Sequence, residues 1–147
     1  MAMNYNTVVV GTDGSASSLL AVERAAELAR AFGATLVIGC AYYESEDEVS
    51  STLRQDSNTI LGDDTARANL SSAVERAKET GLDIVETAVR PGTPVEALMS
   101  IVTDFNAELL VVGNRGINSL TGRLLGSVPA DVARQSDCDV MIVHTVA

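Results

Sequence analysis

Five short apolar runs, each closed by turn-forming residues, alternate along this chain with stretches whose apolar positions recur every three or four residues. Thr7 to Gly11 (TVVVG) is β-branched without alternation and leads into Thr12, Asp13, Gly14 and Ser15, which predicts a strand buried on both faces. From Ser15 onward Leu19, Val22, Ala26 and Ala29 lie on one helical face, Glu23, Arg24, Glu27 and Arg30 on the other, and Gly33 supplies a C-cap. Thr35 to Tyr42 reads as a second strand. Asp64 to Thr80 reads as a second helix, with Leu70, Ala73, Val74 and Ala77 apolar and Gly81 as its stop, and Ile84 to Val89 as a third strand.

Thr93, Pro94 and Glu96 place a hydroxyl cap, a proline at the first helical position and a carboxylate three residues after the cap, the pattern of a capping box. That helix runs to about Phe105. Leu109 to Gly113 (LLVVG) is a fourth buried strand, a glycine-containing loop follows, Ser127 can cap a short helix with Pro129 in its first turn, and Val140 to Val146 is the fifth strand. Tyr43 to Asp63 carries Glu44, Glu46, Asp47 and Glu48 with weak periodicity. It reads as a surface excursion, with a lid over a site as the alternative.

Strict alternation of strand and helix predicts a single doubly wound α/β domain over residues 1–147, a five-stranded parallel sheet in the order 3-2-1-4-5 with helices on both faces. Ligands in such sheets sit beyond the carboxyl ends of the strands where the winding reverses. That directs attention to the residues after the first and fourth strands. The fifth strand would lie at an edge, and its apolar composition invites pairing with a second copy, a homodimer through Val140 to Val146.

Composition narrows the function. Hydrophobic residues make up 46% of the 147 residues and aromatics 3%, so the core is aliphatic, and few rings are available to stack on a flavin. Twenty acidic against ten basic residues leave a net charge of -10, which argues against nucleic acid and anionic membranes as partners. Lys78 is the only lysine and sits in the second helix without a glycine loop before it, so a P-loop is excluded. Cys40 and Cys138 lie far apart without CxxC spacing, which favours a reducing, cytoplasmic setting, and Cys40 reads as packing. No apolar run approaches the roughly 20 residues that span a bilayer, and residues 1–7 show no export signal.

The most informative stretch is Gly113, Asn114, Arg115, Gly116, nine further residues, then Gly126 and Ser127. Glycines let a backbone approach a ligand closely, and amides at the start of a helix point at anions, so Gly126, Ser127 and Val128 suit a phosphate. The plainer alternative is a long strand-to-helix loop. Asp13, with Gly11 and Thr12, could accept from an adenine amino group or a ribose hydroxyl, or position a hydrated metal, or act only as a turn aspartate or a partner for the N-cap of the first helix. Arg115 and Arg123 could neutralise phosphate or stay solvated. His144, the only histidine, reads as a structural residue on the last strand, away from the site.

VVVGTDGS, the strand ending at Ala41 and LLVVGNRG...GRLLGS resemble the universal stress protein family over nearly the whole chain, the spaced glycines being the mark of its adenine-nucleotide-binding members. The resemblance implies a dimeric cytoplasmic α/β protein. By position, Thr12, Asp13 and Ala41 would surround adenine and ribose, and Gly113, Gly116, Gly126, Ser127 and the Val128 amide would hold ribose and phosphate. Asn114 departs from the small hydroxyl residue common in ATP-binding members and is similar to small mycobacterial members that bind cyclic AMP. Cyclic AMP is therefore favoured over ATP, with Mg²⁺ needed only for ATP. An enzyme with slow ATP hydrolysis or phosphoryl transfer is the runner-up, since no histidine or carboxylate pair in the sequence flanks the glycine loop as a base. A phospho-acceptor receiver domain is disfavoured, because Arg90 and Pro91 follow the third strand and no lysine lies near the fifth.

Overall fold

The structure is a computed structural model that describes residues 5–44, 62–114 and 127–145. Among these, the order is β1 (Thr7–Gly11), α1 (Ala16–Phe32), β2 (Thr35–Tyr42), α2 (Asp63–Glu79), β3 (Val85–Pro91), α3 (Pro94–Asp104), β4 (Leu109–Gly113), α4 (Ser127–Gln135) and β5 (Asp139–Val143). The strands form one parallel sheet in the order β3-β2-β1-β4-β5. This is the doubly wound architecture expected from the alternation.

Side chains of one strand point to opposite faces, and both faces are apolar because both are covered. Val8 and Val10, with Leu36, Ile38, Leu109 and Val111, meet Val22, Ala25, Ala26 and Ala29 of α1 and Leu70 and Ala73 of α2. Val9, Val37, Leu110 and Val112 meet Leu98, Ile101 and Val102 of α3 and Val132 of α4. Leu36, Ile38, Ile101 and Leu110 are fully buried. Each such side chain contributes about 1.5–3 kcal/mol of transfer free energy. Small residues set the spacing of the layers: a Cβ on Gly39 would lie 2.6 Å from Ile101 Cδ1, and one on Gly11 3.0 Å from Leu98 Cδ2. Gly11 thus serves the approach of α3 to the sheet.

The helix ends follow local chemistry. Ser15 caps α1 by accepting from the Ser18 N–H, Gly33 closes it in the left-handed conformation, and Thr93 with Glu96 forms the complete capping box of α3. α2 begins at Asp63 without a side-chain cap; Asp63 and Asp64 in its first turn complement the helix dipole instead. α4 starts at Ser127, so Ser127 occupies the first helical position and not the cap.

Two strands differ from expectation. β3 continues past Val89 to Pro91, because its ladder with β2 extends to the pairing of Tyr42 with Pro91. β5 ends at Val143 and not Val146, because its partner β4 ends at Gly113. The acidic excursion is closed at its base, where Gly62 N donates to Tyr43 O at 2.8 Å. Residues 45–61, and with them the lid alternative, lie outside the described residues. Both cysteines are free thiols. No helix among the described residues is long and apolar enough to cross a membrane.

Candidate functional site

The connections through α1 and α2 cover one face of the sheet and those through α3 and α4 the other, so the winding reverses between β1 and β4. The pairing of these two strands runs from Val8 with Leu109 to Val10 with Val111. Beyond it the chains part: Thr12 N donates to Gly39 O of β2 at 2.9 Å, while Gly113 pairs with Val143 of β5. The strand ends therefore diverge at the carboxyl edge and form the two walls of the position where such sheets bind ligands.

The β1 wall is a turn knit by hydroxyls. Buried Thr12 shares a hydrogen bond with Ser18 Oγ at 3.0 Å and accepts the Gly14 N–H at 3.1 Å, and Asp13 Oδ1 accepts the Ser15 N–H at 2.9 Å. Asp13 therefore does serve the turn that enters α1, and its half-buried carboxylate is held at the strand end in doing so. Gly14 adopts φ +84°, and a Cβ there would lie 2.7 Å from Asn69 Oδ1 of α2. Only glycine meets both conditions without strain.

The β2 contribution is Ala41, two residues beyond Gly39 in a strand that outlasts β1, and it is half-buried. Beside it, burial pushes the Cys40 thiol up to about 12, against an opposing hydrogen bond from Asn69. Cys40 is a packing residue, as the sequence indicates.

On the β4 wall, a Cβ on Gly113 would sit 3.3 Å from both Ser17 Oγ and Thr145 Oγ1. Asn114 is buried, and its Oδ1 accepts the Thr145 N–H and hydroxyl, each at 3.0 Å. Because Thr145 spends its only hydroxyl proton on Asn114, Ser17 is the donor in the short Ser17–Thr145 bond. The Asn114 Nδ2 lies 3.2 Å from His144 Nδ1. This corrects the expectation for His144: it follows β5 and touches Asn114, a candidate site residue, because the chain beyond Val143 crosses toward the end of β4.

Thus Gly11, Thr12, Asp13, Ala41, Gly113 and Asn114 all fall at one edge of the sheet. Ser127 and Val128 open α4, whose start belongs to that same edge because a crossover helix runs back antiparallel to its strands. Arg115, Gly116, Arg123 and Gly126 lie outside the described residues, as do the side chains of Ser127 and Val128. Sequence reasoning missed Ser17, Asn69 and Thr145. Asn69 gave one weak signal, a polar residue beside Leu70 between Ala66 and Ala73 on the buried face of α2. Thr145 gave none, since its role depends on a partner 31 residues away.

A doubly wound parallel sheet whose strand ends at the switch point carry glycines and hydroxyls defines the α/β class of this protein. The universal stress protein family model matches residues 4–144. The universal stress protein Rv1636 of Mycobacterium tuberculosis strain H37Rv is 46% identical over 143 residues, covering 96% of this chain and 97% of that protein. The chain belongs to the universal stress protein family. A universal stress protein solved in complex with cAMP is 44% identical, with a TM-score of 0.76 over 98% of this chain and 100% of that one. The Archaeoglobus fulgidus universal stress protein solved in complex with dAMP shares the fold, at 23% identity and a TM-score of 0.68 over 95% of this chain and 98% of that one.

Proposed function

We propose that this protein is a binding and signalling module for an adenine nucleotide, and that it prefers cyclic AMP to ATP. The observation that carries the reading is the divergence of β1 and β4 at their carboxyl ends, with Asp13 on one wall and Gly113 and Asn114 on the other. Asp13 and Ala41 suit adenine and ribose. Gly113, the loop through Arg115, Gly116 and Gly126, and the amides of Ser127 and Val128 suit the ribose and phosphate. The neighbour in complex with cAMP, at 44% identity, supports the same reading.

Charge favours the cyclic nucleotide. ATP brings about four negative charges to a chain already at -10, so it needs Mg²⁺ or Arg115 and Arg123 as counter-charges. Cyclic AMP brings one, which the amides at a helix N-terminus can hold without a metal. We read the protein as a binding module with at most slow ATP hydrolysis. It acts as a homodimer through β5, in the cytoplasm, where its two free thiols stay reduced.

Calorimetric titration with cyclic AMP, AMP and ATP, each with and without Mg²⁺, tests the reading. Cyclic AMP should bind tightest, with no response to chelators and a weak dependence on salt. ATP with Mg²⁺ binding at least tenfold tighter than cyclic AMP, about 1.4 kcal/mol, would replace it with the ATP-binding alternative.

A further inference from the structure

The amide of Asn114 has a single orientation. A backbone N–H can only donate, so the oxygen facing Thr145 N at 3.0 Å is Oδ1, and the NH₂ end faces His144 Nδ1 at 3.2 Å. An amide NH₂ can only donate as well. Nδ1 of His144 must therefore accept, which the neutral Nε2–H tautomer allows and the imidazolium forbids.

Resting on the nucleotide-site reading above, we propose that His144 is a positioning residue for that site: neutral, it completes the hydrogen bonds that hold Asn114 at the end of β4, and protonated, it gives up its bond to the amide, leaves Asn114 held by Thr145 alone and lowers nucleotide affinity. Asn114 is 7% exposed and follows Gly113 directly, so its side chain anchors the start of the spaced glycine stretch. Among the described residues, its side-chain hydrogen bonds go to the segment after β5: two to Thr145 and one to His144. An imidazolium would turn an Nδ1–H against the amide N–H, replacing an attraction with a repulsion between donors.

The charged groups around His144 leave this response to the imidazole. β4 carries no charged side chain. On α4, Asp131 and Arg134 pair with each other. Asp139, at the opposite end of β5, accepts from the Tyr5 hydroxyl, and Asp13 on β1 accepts from Ser15 N. Among the described residues no carboxylate forms an ion pair with His144 to hold a protonated ring in place.

Two measurements test the proposal. In ligand-free protein, ¹⁵N NMR should show His144 as the Nε2–H tautomer at pH 7.5, with the Asn114 side-chain NH₂ signals shifting as His144 titrates. The Nδ1–H tautomer, or Asn114 signals indifferent to that titration, would overturn it whether or not any nucleotide binds. Cyclic AMP should bind three- to tenfold more weakly at pH 5.5 than at pH 7.5, the range expected for one hydrogen bond. His144→Asn, whose Oδ1 stands on Cγ as Nδ1 does and accepts without titrating, should bind within about twofold of the parent at pH 7.5 and keep that affinity at pH 5.5. A flat profile in the parent, or the same acid loss in His144→Asn, would overturn the proposal. Absence of cyclic AMP binding at pH 7.5 would instead sink the nucleotide reading, and the NMR result would still decide whether His144 holds Asn114.

Discussion

Thr145 gives both its backbone N–H and its hydroxyl proton to one atom, Oδ1 of Asn114, at 3.0 Å each. One buried side chain thereby takes over where the β4–β5 ladder stops, and it fastens the chain after β5 to the edge of the sheet where the nucleotide site is proposed.

Asn114→Ala leaves the buried Thr145 N–H without its acceptor, and the expected destabilisation is about 1–3 kcal/mol. Urea unfolding followed by far-UV circular dichroism measures it. Asn114→Ser, too short to reach both Thr145 and His144, should fall in the same range. A midpoint unchanged in both variants would show that the clasp adds nothing to stability.

Gly14→Ala places a methyl where Asn69 Oδ1 now sits and forces an L-residue into φ +84°. A cost of about 1–3 kcal/mol is expected from the backbone alone. Combining it with Asn69→Ala should recover only the steric part, so the double variant should be less destabilised than the two losses added together. Strict additivity in a double-mutant cycle would mean that the two residues do not press on one another.

At the proposed nucleotide site, Ser127→Ala should weaken binding by about 1–2 kcal/mol through loss of a charge-assisted hydrogen bond. Gly126→Val should also weaken it, with the fold retained. Asp13→Ala should reduce discrimination of adenine over guanine nucleotides. Calorimetry with both base types separates the effects: unchanged affinity in the first two variants, or equal losses for both bases in the third, contradicts the assignment.

The two edges of the sheet are unlike. β3 presents Glu86, Arg90 and a terminal Pro91, all of which discourage pairing, whereas β5 presents Val140, Met141 and Ile142. Light scattering should give a dimer at micromolar concentration, and Ile142→Lys should shift it toward monomer. A monomeric parent protein would remove the dimer from the reading.

The capping box supplies a pH dependence with a definite sign. Hydrogen bonds from the Thr93 backbone N–H and hydroxyl hold the Glu96 carboxyl below its usual range. A depressed folded value means that the stabilisation is present above the ordinary glutamate value of about 4.3 and is lost as pH falls through the lower, folded one. Unfolding midpoints taken from pH 6 down to pH 3 should therefore fall less steeply in Glu96→Gln than in the parent. Parallel curves would show that this carboxylate plays no part in acid sensitivity.

Much of the architecture is local and so was legible in the sequence. Apolar runs without alternation, such as VVV after Thr7 and LLVV before Gly113, marked strands covered on both faces, and Thr93-Pro94-Val95-Glu96 marked a helix start atom by atom. Alternation then fixed a parallel, doubly wound order, and with it the edge at which Gly11, Thr12, Asp13, Ala41, Gly113 and Asn114 gather. Tertiary structure alone decided what those residues face. Asn69 reaches Gly14 from a helix more than 50 residues away, Ser17 meets Thr145 across 128 residues, and the last strand stops at Val143 because its neighbour stops. Periodicity records which face of an element is buried, through the cost of exposing apolar surface. It carries no record of which polar atom from a distant segment fills a buried hydrogen bond, since that depends on how strand ends are staggered once the sheet has formed.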